Sequence, residues 1–220
     1  MFADCSFTPL EKMAPNLLSN PIFRDYFNIH QSYGELIGED GKVRPHWETF
    51  FDTYTNLGEE EIKSRNTDTL RLLKENGVTY NIYGDPNGLN RPWKLDNIPF
   101  LISKEEWVSI ESGLSQRAHL LNLILEDIYG ARTLIKKGIL PMELVFNHAG
   151  FLRPCSGIRQ PGKHQLVLYS ADIAKSTKGQ IWVVNDRTQA PSGSGYALEN
   201  RTTMTRVIPE LFNGLKVRHL

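Results

Sequence analysis

The chain has 220 residues, with 25 basic and 25 acidic side chains, so its formal charge is zero when His is neutral; 40% of the residues are hydrophobic and 23% charged. These proportions belong to a globular chain and exclude wholesale disorder, collagen-like repetition and low complexity. The balanced charge argues against a nucleic-acid partner held by bulk positive charge, leaving only a local basic groove open.

Residues 1–32, with Pro9, Pro15 and Pro21 and no sustained period, read as a poorly ordered N-terminal arm. The remainder, 33–220, reads as the domain. Gly34 to Pro45 is turn-rich. His46 to Leu57 places Trp47, Phe50, Phe51 and Tyr54 at 3–4 spacing, which predicts an amphipathic helix ended by Gly58. A second helix is expected from Glu59 to Asn76, with three glutamates at its positive end and Gly77 as its C′ residue. Val78 to Tyr83 alternates like a strand, and Gly84 to Gly88 punctuates it.

Ser103 and Glu106 form a capping box. Behind it Trp107, Ile110, Leu114, Ala118, Leu121, Leu125 and Ile128 keep helical spacing to Tyr129, a stripe expected to be core. A short helix from Ala131 to Lys137 should close at Gly138. Leu166–Tyr169 and Ile181–Val184 read as buried strands paired antiparallel across the turn KSTKGQ. Tyr196 to Leu211 should be helical, with a break or fresh start at Pro209. The fold class is therefore α/β with α+β character: an antiparallel hairpin with flanking helices.

Cys5 and Cys155 are too few for a disulfide scaffold or a four-cysteine zinc site, and the N-terminus lacks a secretory pattern. No stretch is long and apolar enough to span a bilayer. These features predict a reducing, cytoplasmic setting without a membrane partner. GxGxxG, GxxxxGK[ST], HExxH and GxSxG are absent. The six His residues are scattered singly, His148 beside a glycine-rich loop being the most suggestive. Cys155 has no base at short spacing.

The informative segment is Asp172 to Arg201. Asp172 ends one hairpin strand and Asn185-Asp186-Arg187 the other, so antiparallel pairing can bring them to one mouth. Pro191-Ser192-Gly193-Ser194-Gly195 then leads into Glu199-Asn200-Arg201. Such a small-residue loop entering a helix offers backbone N–H groups to an anion, and nearby carboxylates can hold a bridged Mg²⁺. A plain surface hairpin followed by a capped helix stays equally open. Arg153 and Arg159, six apart among Gly and Pro, are either a phosphate or carboxylate fork or solvated loop charges.

The runs VTYNIYGDPNGLNRPWKLDNIPFLIS, SGLSQRAHLLNLILEDIYG, LPMELVFNHAGFLRPCSGIRQPG, DRTQAPSGSGYALENR and VIPELF, in this order from about Tyr33 onward, resemble the circularly permuted ATP-grasp type 2 family, the glutathionylspermidine synthase-like permuted ligases. The resemblance implies a partial ATP-grasp fold, ATP and Mg²⁺ as cofactors, and joining of a small-molecule or peptide carboxylate to an amine through an acyl phosphate. Taken with the reading of the residues above, it makes Asp172 and Asp186 the candidate metal ligands, Arg153, Arg159, Ser192, Gly193, Asn200 and Arg201 the candidate nucleotide contacts, and Arg187 the candidate catalytic residue.

Relatives carry Glu-x-Asn at the second strand end, where this chain has Asn185-Asp186-Arg187. One metal-facing carboxylate is thereby exchanged and a cation stands where an amide is expected. The alternative implied is a non-catalytic nucleotide- or protein-binding scaffold with a degenerate metal site. Because relatives continue past the VIPELF segment, the resemblance also implies truncation at the C-terminus, with exposed apolar surface and self-association.

Overall fold

The computed structural model describes residues 34–38, 40–80, 91–158, 160–176, 178–191 and 193–218. The expected N-terminal arm, the end of the Val78–Tyr83 strand with the Gly84–Gly88 turn, and the candidate residues Arg159 and Ser192 lie outside the described residues. The chain forms two compact units: one built from residues up to Ser103, the 176–179 turn and everything after Pro191, the other from Lys104–Lys175 and Gln180–Pro191.

In the first unit, helix α1 (Pro45–Leu57) starts on a proline, whose missing N–H costs nothing at that position. Its Trp47, Phe50, Phe51 and Tyr54 are all buried, as the 3–4 spacing predicts. Phe50 stacks on Tyr54 at 4.6 Å and meets Trp47 edge-on at 5.3 Å. Gly58, at φ 78°, turns the chain into α2 (Glu59–Glu75), and Gly77, at φ 67°, follows its C-terminus. Those positive angles favour glycine, which has no Cβ to clash.

The core is completed by Leu36 and Ile37 before α1, by Met204 and Val207 of α6 (Gly193–Val207), by Ile208, and by Leu211 of α7 (Pro209–Gly214). The break at Ile208 matches the expected restart at Pro209. Arg65 of α2 forks onto Glu210 of α7 at 2.7 and 3.0 Å and donates to the Val207 carbonyl. Its guanidinium holds the Glu210 carboxyl below the ordinary range.

Strands β1 (Thr79–Tyr80) and β2 (Arg91–Pro92) pair antiparallel. The irregular segment after them is fixed by Asn97, which is 3% exposed. Its amide nitrogen donates to Asn66, its Oδ1 accepts from the Thr69 hydroxyl, and its backbone carbonyl accepts from the Tyr54 hydroxyl. Burial, with Asp96 nearby, pushes the Tyr54 phenol up to about 12.

The second unit is organised by α3 (Lys104–Tyr129), whose bounds match the capping box and stripe. Its burial does not. Ile110 and Asn122 are its buried residues, Leu114, Leu121 and Leu125 are half-buried, and Trp107 is 36% exposed. The stripe is only partly covered. Asp127 accepts the backbone N–H groups of Thr133 and Leu134 at 2.7 and 2.9 Å, capping α4 (Thr133–Lys136), while Gly138 follows it at φ 68°.

Sequence reasoning missed α5 (Met142–Phe146), which packs Phe146 edge-on against Phe151, itself stacked on Tyr129. Among the described residues no helix is long and apolar enough to cross a membrane.

The expected buried strand at Leu166–Tyr169 is corrected. The strand, β3, is Ser170–Lys175, and Val167 is 82% exposed. Asn122 contributes: its Oδ1 accepts the N–H groups of both Gln165 and Leu166 and pins the start of that stretch to α3. β3 pairs antiparallel with β4 (Ile181–Arg187), as expected, but Trp182 and Val184 in the supposedly buried Ile181–Val184 run are exposed.

Phe50→Ala is expected to destabilise the first unit by about 3–5 kcal/mol, whereas Leu121→Ala, at a half-buried site, should cost the second unit roughly 1–2 kcal/mol. Hydrogen exchange of the α1 and α3 amides reads the two losses separately. Equal losses would contradict the difference in burial.

Candidate functional site

The hairpin β3–β4 carries three of the sequence-predicted site residues, and its register decides what they can do. Asp172 lies opposite Asn185, Ala171 opposite Asp186 and Ser170 opposite Arg187. Between Asp172 and Ile173 the register shifts, so that Ile173 faces Val183 and Val184 is the extra residue of a β-bulge. Ile181, Val183 and Asp186 are consequently on one face, at spacings of two and then three, and all three are partly shielded. Asp172, Asn185 and Arg187 occupy the other. Antiparallel pairing does bring the two strand ends together, but alternation sends the carboxylates of Asp172 and Asp186 to opposite faces, not into one mouth.

Asp186 is enclosed by three hydrogen bonds. Arg117 of α3 donates through Nε and Nη2 at 2.7 and 2.6 Å, and the Tyr169 hydroxyl donates at 2.7 Å. Arg117 and Tyr169 together hold the Asp186 carboxyl below the ordinary range. Burial and that carboxylate push Tyr169 up to about 12. On the same face Lys175 pairs with Glu106 of α3 at 2.7 Å. Two ion pairs thus tether one side of the hairpin to α3.

On the opposite face, Arg187 donates to Asp172 through Nε and Nη2 at distances of 2.9–3.2 Å, and the Asn185 amide adds a longer contact at 3.3 Å. Arg187 first, then Asn185, holds the Asp172 carboxyl low. The side chains of this pair are 55% and 45% exposed. The Nη1 of Arg187 makes no hydrogen bond among the described residues, so a donor edge faces outward.

Each hairpin carboxylate is therefore already bound by an arginine, and among the described residues no three His, Cys, Asp or Glu side chains converge as a metal site. The Asp172 and Asp186 pair does not fit a shared Mg²⁺.

The remaining candidates stand elsewhere. Arg153 opens a short 3₁₀ turn, Arg153–Cys155, and is exposed, as is the Cys155 thiol. His148 accepts the Gly150 N–H through Nδ1, a local turn contact. Gly193 is the first residue of α6. Asn200 and Arg201, farther along α6, line a cavity of the first unit together with Asp96, Phe100, Met204 and Phe212. Arg117 and Tyr169, missed in the sequence, carry no local signal: they lie 69 and 17 residues from Asp186 along the chain. The notable sequence feature is that Arg117 and Glu106 lie eleven apart, three helical turns, so one face of α3 receives both hairpin charges.

Residues 99–220 match the family described as Circularly permuted ATP-grasp type 2, and the chain belongs to that family. The mixed architecture of helices and small antiparallel hairpins agrees with a partial ATP-grasp-like domain. An uncharacterized protein of Mycobacterium tuberculosis is 37% identical over 194 residues, covering 84% of this chain and 22% of the relative. One from Synechocystis is 34% identical over 186 residues, 84% of this chain and 39% of the relative. One from Mycobacterium leprae is 30% identical over 187 residues, 85% and 33% respectively. The chain thus spans well under half the length of these relatives.

Both carboxyls have depressed values in the folded chain. Each therefore contributes stability above the ordinary aspartate range near pH ~3.9, and that contribution disappears as pH falls through the folded value. NMR titration should show Asp186 rising toward the ordinary value in Arg117→Ala while Asp172 stays where it was, and the reverse in Arg187→Ala. Movement of both carboxyls in either variant would contradict the two-faced hairpin.

Proposed function

We propose that this chain is part of an ATP-dependent ligase-like protein that joins a carboxylate to an amine, and that its hairpin meets the nucleotide through Arg187. ATP with Mg²⁺ would supply the phosphoryl group that activates the acid. The observation that carries the reading is the family match, to which the geometry adds an exposed guanidinium anchored by Asp172. A guanidinium cannot ligate a metal, but it forks onto phosphate oxygens and so takes over part of the charge a metal otherwise neutralises. Asp172 acts as the resting partner that orients the Arg187 side chain. Arg117, Tyr169 and Asp186 keep the strand in register.

A second reading has its own observation. Because both hairpin carboxylates are paired to arginines, the same geometry suits a non-catalytic scaffold that binds a nucleotide or a protein over a degenerate metal site. Under the ligase reading, calorimetry of the chain with ATP should give binding in EDTA within about threefold of that in Mg²⁺. Arg187→Ala should then weaken it by roughly 1.5–3 kcal/mol, the scale of a hydrogen bond to a charged group. Absence of ATP binding under both conditions decides against the ligase reading of this segment and leaves only the protein-binding form of the scaffold reading.

A further inference from the structure

The cavity of the first unit has a volume of about 440 Å³ and lies among the 95–101 segment, α6 and α7. That size is within the ordinary range for small-molecule sites, and its lining is of the usual kind, apolar with a few converging polar groups. Phe100, Met204 and Phe212 supply apolar wall. The polar groups are Asp96, Asn200 and Arg201.

Their hydrogen bonds fix what each offers. The Oδ1 of Asn200 accepts from the Trp93 indole N–H at 2.9 Å, which sets the amide orientation and leaves the Nδ2 donor without a partner among the described residues. Trp93 is in turn packed on Tyr196 at 4.5 Å, whose hydroxyl donates to the Thr79 carbonyl, so the orienting group is itself held. Arg201 gives Nη1 to the Arg218 carbonyl at 2.7 Å, and its Nε and Nη2 donors make no hydrogen bond among the described residues. Asp96 accepts the Ile98 N–H through Oδ1. Two donors, one of them cationic, therefore share an apolar cavity with one carboxylate.

We propose that this cavity binds a carboxylate with an apolar body, the acid group taken by Arg201 and the Asn200 amide and the body lying against Phe100, Met204 and Phe212. Guanidinium and amide donors complement a carboxylate. A dianionic phosphate fits less well, because Asp96 lines the same cavity and repels a dianion about twice as strongly as a monoanionic carboxylate. The binding stands independently of the ligase reading. The further identification of this ligand as the acid that is joined rests on that reading.

The test uses calorimetry of the whole chain with 4-phenylbutyrate, its neutral amide, acetate and ATP. Phenylbutyrate should bind saturably, at least tenfold tighter than either the amide or acetate. Asn200→Asp keeps an oxygen for the Trp93 N–H, removes the Nδ2 donor and adds a charge. It should weaken phenylbutyrate at least tenfold and leave the amide unchanged, with the melting temperature preserved. Arg201→Lys should retain more affinity than Arg201→Ala. Equal binding of acid and amide, an unaffected Asn200→Asp variant, or no saturable binding by 10 mM would each overturn the proposal. Competition between ATP and phenylbutyrate would overturn the acid assignment in favour of a nucleotide site. Failure of ATP to bind anywhere, with phenylbutyrate binding intact, would remove the ligase reading and leave the carboxylate site standing.

Discussion

The first unit depends on one buried side chain, Asn97. A segment without regular structure has to satisfy its polar groups some other way, and an unsatisfied buried group costs about 1–3 kcal/mol. Asn97 meets this by bonding Asn66 and Thr69 of α2 through its amide, while its backbone carbonyl takes the Tyr54 hydroxyl of α1. Three bonds from one residue lock the 95–101 stretch to both helices. That stretch supplies Asp96, Phe100 and Leu101 to the cavity wall, so the shape of the cavity follows from a hydrogen-bond network and not from local helix or strand propensity.

Asn122 repeats the device in the second unit. It sits inside a helix and holds Gln165 and Leu166 through one carbonyl oxygen, with its amide nitrogen on Glu126. Read along the helix, Asn122 only interrupts an apolar run. In space its Oδ1 takes the N–H groups of Gln165 and Leu166, which pins the start of the expected strand to α3, and β3 begins only at Ser170. The bulge completes the arrangement. In a regular strand without the bulge, Asp186, three residues after Val183, would lie on the opposite face from it. With it, Asp186 shares a face with Ile181 and Val183 and reaches Arg117.

The helices were legible because their information is local: spacing, glycines at φ above zero, and a proline at the start of α1 are all contained within a few residues. The hairpin pairing was legible too, since a polar turn separated two strand-like runs. Burial and orientation were not. The α3 stripe has helical period whether or not a neighbouring layer covers it, so Trp107 and Leu121 look the same in sequence as residues of a full core. The bulge leaves no mark in the sequence, so Asp172 and Asp186 looked like partners. Asn200 and Arg201 were picked as ligand contacts from their place after a small-residue loop, and the cavity they line was invisible because its other walls come from residues about a hundred positions away and from α7.

The two hairpin ion pairs differ in physical character, and that difference bears on function. An exposed pair contributes little, about 0–1 kcal/mol, so the Arg187 guanidinium, more than half exposed, can exchange Asp172 for another anion at small cost. The Arg117 pair is not equivalent. Asp186 is the more shielded carboxylate, at 21% side-chain exposure, and a tyrosine hydroxyl occupies it as well. Removing one partner there would leave the others facing a charge in a partly desolvated place, and the strand would lose a tether to α3. Of two aspartates that a linear reading makes a matched pair of metal ligands, one is a structural anchor. The other is held by an exposed guanidinium, and under the proposed function that pair is the one that opens to an anion.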